Sequence, residues 1–265
     1  MNKVFKYFNY TKSYLKYSDF RSILDSVNFV LFNKGAARDR VIDSYLGRVK
    51  VRKGTNDFQF MNYYYEWSVK SFLLNNCHRY DYFIDIGAGI GDYSLLMAQK
   101  GLKVIAFEPV NSSFEIFKEN IRLNGLGDEI KAYNYAVGKK NEEAEFIVTP
   151  VNTGASHRAD IKIADAAKKG AYRQKTIVKN LDSIYHEFGI DKQDRILLKM
   201  DMEGMEAEAV IGGKDFFGHF DKITVAAEAK HTGEDEIIKS LNKVAKFEYG
   251  EIDKFNIWAR KTGNI

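Results

Sequence analysis

A single cysteine, Cys77, stands in 265 residues. It excludes an internal disulfide and a metal site built on cysteines. There are two prolines. No apolar run approaches the roughly 18 residues that would suggest a membrane span. The opening, MNKVFKYFNYTKSYLKYSDF, is too polar and too aromatic for the apolar core of a secretory leader. With 45% hydrophobic and 29% charged residues, the composition is that of a globular protein. The length suits one large domain or a domain with an appendage, and a cytoplasmic location is the expectation.

What is present is unevenly placed. Residues 1–80 carry 14 Lys/Arg against 6 Asp/Glu, a balance of +8, and the remaining 185 carry 26 against 30, a balance of −4. The first 80 also hold 18 of the 37 aromatic residues. A basic, aromatic segment can meet nucleic acid, an acidic membrane surface or an anionic substrate. It can equally be a helical cap with buried rings and solvated lysines.

Apolar spacing in FRSILDSVNFVLF, Phe20 to Phe32, makes residues 1–46 a mainly helical extension. The main domain is then 47–265. It opens with an alternating strand around Val49 and Val51, a turn at Gly54, and a helical pattern in NYYYEWSVKSFLL. After Tyr80 strands and helices alternate. YFIDIG, KVIAFEP, IKAYNYAVG, RILLKMDMEG and DKITVAAEAK read as strands. YSLLMAQKG, SSFEIFKENIRLNG, EAEAVIGG and DEIIKSLNKVA read as helices. Ser112 or Ser113 is the expected N-cap of the second helix, and Gly125 its C-cap. KFEYGEI and FNIWARK close the chain as a hairpin. The fold class is α/β: a doubly wound, mainly parallel seven-stranded sheet with an antiparallel last strand, plus the N-terminal helical cap. Residues 138–180 interrupt the alternation as an inserted hairpin or loop, a length that is often functional.

The central motif is DYFIDIGAGIGDYSLL, residues 81–96. Strand, glycine turn and helix bring a ligand close to the backbone. A dinucleotide fingerprint needs its third glycine where this chain has Asp92. The spacing is instead Asp85, Gly87, Gly89, Gly91. An aspartate at the helix N-terminus disfavours a pyrophosphate and favours a cation. S-adenosylmethionine carries a sulfonium and an ammonium, so Asp85 suits it better than it suits NAD. Glu108, ending KVIAFEP, can accept both hydroxyls of a ribose.

IDIGAGIGDYS, AFEP, ENIRLNG and YAVG resemble the class I S-adenosylmethionine-dependent methyltransferases. More narrowly, the chain is similar to the FkbM family. GTNDF, ENIRLN, AVG, GAS at Gly154 to Ser156, LDSI and LLKMDMEGMEAEAVIGG occur in the family's order, over roughly residues 47–260. One departure lies after DKITVAAEAK. The family tends to place histidine two residues after an acid, whereas here Glu228 is followed by Ala229, Lys230 and His231. The resemblance implies a Rossmann-like methyltransferase sheet and S-adenosylmethionine as cofactor. It implies a purine site by Tyr135, Ala136 and Val137, and Asp57 of GTNDF at the cofactor's methionine end. It also implies a hydroxyl acceptor.

Methyl transfer from a sulfonium needs an aligned nucleophile and, for a neutral nucleophile, a base. Asp201 and Glu203, ending the fourth strand, are candidates for base, acceptor orienter or ion ligand. His231 is a third catalytic candidate, Lys199 an orienting one, and His157 and Arg158 are candidates for closing over an acceptor. Glu206 and Glu208 read as solvated helix-face residues. Asn120 and Asn124 read as structural. Two carboxylates alone are a weak metal signal, and no metal is expected. The expected activity is O-methylation of a sugar, glycan or small molecule. Alternatives are methylation of RNA or protein through the basic N-terminal region, and a binding module without turnover. An NAD oxidoreductase is opposed by Asp92. The N/D-P-P-Y/F signature of base-amino methylation is absent.

Overall fold

The computed structural model describes residues 3–162 and 170–265, with residues 3–7 as backbone only. Part of the expected insertion, 163–169, lies outside the described residues. The chain begins with a helical hairpin, α1 (Lys3–Lys16) and α2 (Phe20–Phe32). Asp19 caps α2 by accepting the Ser22 N–H at 3.1 Å. The helical reading ends there. Arg40–Ser44 forms β1, which pairs antiparallel with β2 (Gly47–Val51), so the strand expected at Val49 is half of a hairpin that starts inside the expected helical extension.

Next come α3 (Asp57–Phe60), α4 (Trp67–Asn76), β3 (Tyr82–Ile86), α5 (Asp92–Gln99), β4 (Lys103–Phe107) and α6 (Asn111–Asn124). α6 starts before both serines, with Val110 at its cap position, and ends at Gly125 in the left-handed region. Its Asn120 and Asn124 accept the Lys50 and Arg48 N–H groups at 2.7 and 3.0 Å. These two amides fasten the β1–β2 hairpin to the main domain.

The segment IKAYNYAVG does not form one strand. It divides into β5 (Ile130–Tyr133) and β6 (Ala136–Val137), which belong to different sheets. The insertion supplies β7 (Glu142–Val148), β8 (His157–Arg158) and β9 (Tyr172–Lys179), followed by α7 (Leu181–Ile184). A small sheet runs β6-β9-β7-β8. Then follow β10 (Arg195–Met200), α8 (Glu206–Ile211), α9 (Lys214–His219), β11 (Lys222–Glu228), α10 (Glu234–Leu241), β12 (Lys246–Asp253) and β13 (Asn256–Gly263).

The seven-stranded sheet has the order β12-β13-β11-β10-β3-β4-β5. β5, β4, β3, β10 and β11 pair in parallel, and β13 runs antiparallel to both neighbours. Alternation along β3 sends Phe83 to one face of the sheet and Ile84 and Ile86 to the other. Leu197 joins Phe83, while Ile196, Leu198 and Met200 join Ile84. Each face is buried under helices, each fully buried side chain contributing on the order of 1.5–3 kcal/mol.

Candidate active site

The carboxyl ends of β3, β4 and β10 open into one cavity of about 220 Å³. Chain order reverses between β4 and β10 on either side of β3, the position where open sheets of this kind hold ligands. Gly87, Gly89 and Gly91 have φ of +86°, +57° and +93°. A Cβ on Gly87 would overlap the Asp201 carbonyl, and one on Gly91 would overlap the Phe117 ring. Around Gly89 nothing lies within 4 Å. Gly87 therefore fits the turn against the end of β10, and Gly91 lets α5 pack on α6. Gly89 leaves room at the cavity wall. Gly87 and Gly89 line the cavity and Gly91 does not.

Glu108, at the tip of β4, is buried and lines the same cavity. Its carboxylate accepts the Gly89 and Val110 N–H groups at 2.7 and 2.8 Å. Burial pushes its pKa up to about 7, against the pull of those two donors. Beside it, Phe107, Tyr135, Ala136 and Val137 form an apolar slot.

Two candidates sit elsewhere. Asp85 lies on the Phe83 side of β3, so its side chain turns beneath the glycine turn rather than out of the strand tip. It accepts Ser94 Oγ at 2.7 Å and lies 3.6 Å from Nζ of Lys199, its partner in register. Asp85 is buried and does not line the cavity; it holds Lys199. Asp57 is gripped by the Arg52 guanidinium at 2.7 and 2.9 Å and takes Thr153 Oγ1 at 3.3 Å. Asn56 binds Asn152 and the Thr153 N–H at 3.0 and 3.1 Å. GTNDF thus anchors the inserted segment, whose Thr153 to Ser156 line the cavity, and Asp57 does not reach in.

The opposite wall is acidic. Asp201, Glu203, Glu66, Asp92 and Glu228 line it, with Lys199 among them. Lys199 is buried, 3.5 Å from Asp201 and 4.8 Å from the centre of the Tyr93 ring. Burial works against its charge, yet Asp201 and Asp85 outweigh burial and raise its pKa. Asp92 is buried too, and burial pushes its carboxyl up to about 7 against the attraction of Lys70 and Lys199. Lys70 lies behind, its pKa lowered to about 8 by burial. The helical pattern of NYYYEWSVKSFLL hides Glu66 and Lys70. Their signal was two opposite charges four residues apart among aromatic residues, and of the three tyrosines before them Tyr65 lines the cavity.

Glu203 has φ of +52°, a left-handed backbone that few non-glycine residues adopt. Its carboxylate stands 2.8 Å from Nε2 of His231. Burial, then Asp201, pushes Glu203 up to about 8. Burial, then Lys230, lowers the His231 pKa. Glu228 completes the group, pushed up to about 9 by burial and the neighbouring carboxylates. Ligand atoms of Glu203, Glu228 and His231 lie within 4.8 Å of one another. Such a set can share protons or take a divalent cation. His231 stands behind Glu203 and is not a lining residue.

Glu206 is not solvated. It is buried, accepting the Met202 and Gly204 N–H groups at 2.8 and 3.3 Å and the Thr232 hydroxyl. It therefore holds the turn that carries Glu203. Glu208 pairs with both Arg158 amino groups at 2.6 and 2.7 Å. His157 is buried with Nδ1 3.0 Å from the Ala155 carbonyl. Arg158 and His157 brace the insertion.

A cationic cofactor fits this wall. Asp92 Oδ2 and Glu228 Oε2 are buried without a hydrogen-bond partner among the described residues, and carboxylate oxygens in that state favour a positive ligand. A pyrophosphate would face the same carboxylates at a cost. A model of the methyltransferase FkbM domain matches residues 85–255, more than half of the chain. The chain belongs to the FkbM methyltransferase family. Methyltransferases of this family and fold use S-adenosylmethionine.

Methyltransferase sdnD from Sordaria araneosa is 26% identical over 156 residues, 49% of this chain and 60% of that protein. The FkbM chain here thus spans about 60% of the length of that curated relative. The crystal structure of methyltransferase FkbM from Methylobacillus flagellatus is 16% identical, with a TM-score of 0.46, over 69% of this chain and 43% of that one. Magnesium protoporphyrin IX methyltransferase from Synechocystis, solved with bound SAM, is 12% identical, with a TM-score of 0.42, over 74% of this chain and 77% of that one.

Proposed function

We propose that the protein transfers the methyl group of S-adenosylmethionine to a hydroxyl of a sugar, glycan or small molecule. The observation that carries this reading is Glu203: a strained backbone aims its carboxyl into the cofactor cavity, its pKa is pushed up to about 8, and His231 stands 2.8 Å away. Backbone strain of this kind gathers at functional sites.

The cofactor supplies an electrophilic methyl. Glu108 would accept ribose hydroxyls, the slot by Tyr135 and Ala136 would take the purine, and Gly87 and Gly89 would let the backbone close on the ligand. The unpartnered Asp92 oxygen and Glu66 would face its cationic end. A neutral hydroxyl must lose a proton as it attacks, and Glu203, in the form that has lost its own proton as pH approaches about 8, is the base within the cavity. His231, with Nε2 2.8 Å from the carboxylate, would take or steady the proton that Glu203 accepts. Asp201, fixed by Lys199, would accept from the acceptor hydroxyl and align it. The acidic wall opposes phosphate or carboxylate acceptors, although Lys230 also lines the cavity, so a neutral hydroxylated acceptor is favoured over RNA.

The test is turnover with labelled S-adenosylmethionine across a panel of neutral hydroxylated glycans and glycosides, read by mass spectrometry. Methyl ethers formed by the wild type and lost in Glu203→Gln support the reading. Methylation of RNA or protein, with glycans untouched, would overturn it.

A further inference from the structure

α2 packs Ile23 and Phe29 inward yet leaves most of its apolar side exposed. It buries Ser22 and Asp25, the latter paired with Arg40 at 2.8 Å. Its apolar stripe, Phe20, Leu24, Val27 and Leu31, is 50–65% exposed. These residues recur at four, three and four positions, one face of a helix. Phe8 and Leu15 of α1 are exposed as well. Of the thirteen large exposed apolar side chains among the described residues, eight lie on these two helices. Between the helices an apolar cleft of about 260 Å³ is lined by Tyr10, Tyr14, Ile23, Val27, Val30 and Leu31. An apolar face of this extent marks an interaction surface.

Its border is cationic. Lys12 and Lys34 lie 4.5 and 5.7 Å from the rings of Phe8 and Phe32, and Lys16 lies 5.6 Å from that of Tyr17. All three lysines are exposed and form no ion pair among the described residues. A second copy seated by a two-fold axis would set these lysines against each other. Nucleic acid would need exposed rings for stacking, whereas most of the stripe and cleft is aliphatic. An apolar face within a rim of lysines complements anionic lipid. No helix among the described residues is long and apolar enough to cross a membrane, so the contact is with the surface.

We propose that α1 and α2 dock the protein on an anionic membrane, with the stripe of α2 in the acyl boundary and the lysines at the headgroups. This does not depend on the methyl-transfer reading.

The test is sedimentation of the full chain with phosphatidylcholine vesicles, with and without phosphatidylglycerol, at two salt concentrations. The protein is expected to pellet with the anionic vesicles and to be released by salt. Leu24→Asp with Leu31→Asp should weaken binding at least about tenfold, and each of Lys12→Glu and Lys16→Glu about fivefold. All four positions are exposed, and thermal melting checks that the variants stay folded. Failure of the folded wild type to bind, or equal binding by the double variant, would overturn the proposal. So would a dimer in sedimentation equilibrium that Leu31→Asp dissociates, or RNA that displaces the vesicles.

Discussion

Replacing Glu203 by glutamine should kill turnover and make the protein more stable, with the gain absent at low pH and growing above about pH 4.5. The carboxyl has an ordinary value of 4.5 and is pushed up to about 8 in the fold, chiefly by burial. Below pH 4.5 folded and unfolded chains both hold this proton, and the group makes no difference. Between 4.5 and 8 the unfolded chain has lost the proton while the fold retains it. Stability therefore falls as pH rises, by about 1.4 kcal/mol per pH unit at most. The ceiling at pH 8 is about 5 kcal/mol. The side chain is 13% exposed and relaxation reduces such costs, so about 2 kcal/mol is the working figure. Glutamine keeps the shape without the charge. In the cofactor-free protein Glu203→Gln should thus melt about 5 °C higher than wild type at pH 8, and equally at pH 4. Its rate should fall about 10²- to 10⁴-fold, with S-adenosylmethionine still bound. A variant that is less stable at pH 8, or that retains wild-type turnover, would refute this assignment of Glu203.

Three other outcomes follow from the same geometry. Glu206→Ala removes the carboxylate that accepts two backbone N–H groups in the turn that carries Glu203 and should cost about 2–3 kcal/mol in chemical denaturation, while Glu208→Ala, half-exposed and leaving Arg158 still paired with Asp160, should cost about 1 kcal/mol. Lys199→Met leaves Asp85 buried without its cation and should destabilise the protein by about 3 kcal/mol or more; a neutral result in urea melts would show that Asp85 is held protonated. Dialysis against EDTA should leave turnover unchanged if Glu203, Glu228 and His231 share protons; a loss restored by magnesium or manganese would assign them to an ion instead.

Much of the sheet was legible because its signals are local. Apolar runs marked β3, β4, β10 and β11, and the antiparallel closing hairpin followed from two strands in succession. The turn and Glu108 were legible because strand ends place residues at one rim. The place of the Asp85 side chain needs parity as well as position: two residues from Phe83, it shares that residue's face. Glu206 was missed because EAEAVI reads as a solvated helix start, and only the fold of the preceding turn brings Met202 and Gly204 onto its carboxylate. Asp57 was named for the cofactor's methionine end, and its anchoring contacts were not legible because its partners, Arg52 and Thr153, lie on two different segments. β1 escaped because RVID is short and its partner, Gly47–Val51, reads as a lone strand.

The most direct measurement is calorimetric titration of the full chain with S-adenosylmethionine, with NADH as control, on wild type and Glu108→Ala. We expect one-to-one binding of S-adenosylmethionine, weakened at least about tenfold by the substitution, and none of NADH. Binding of NADH alone, or S-adenosylmethionine binding indifferent to Glu108, would contradict the assignment of this cavity.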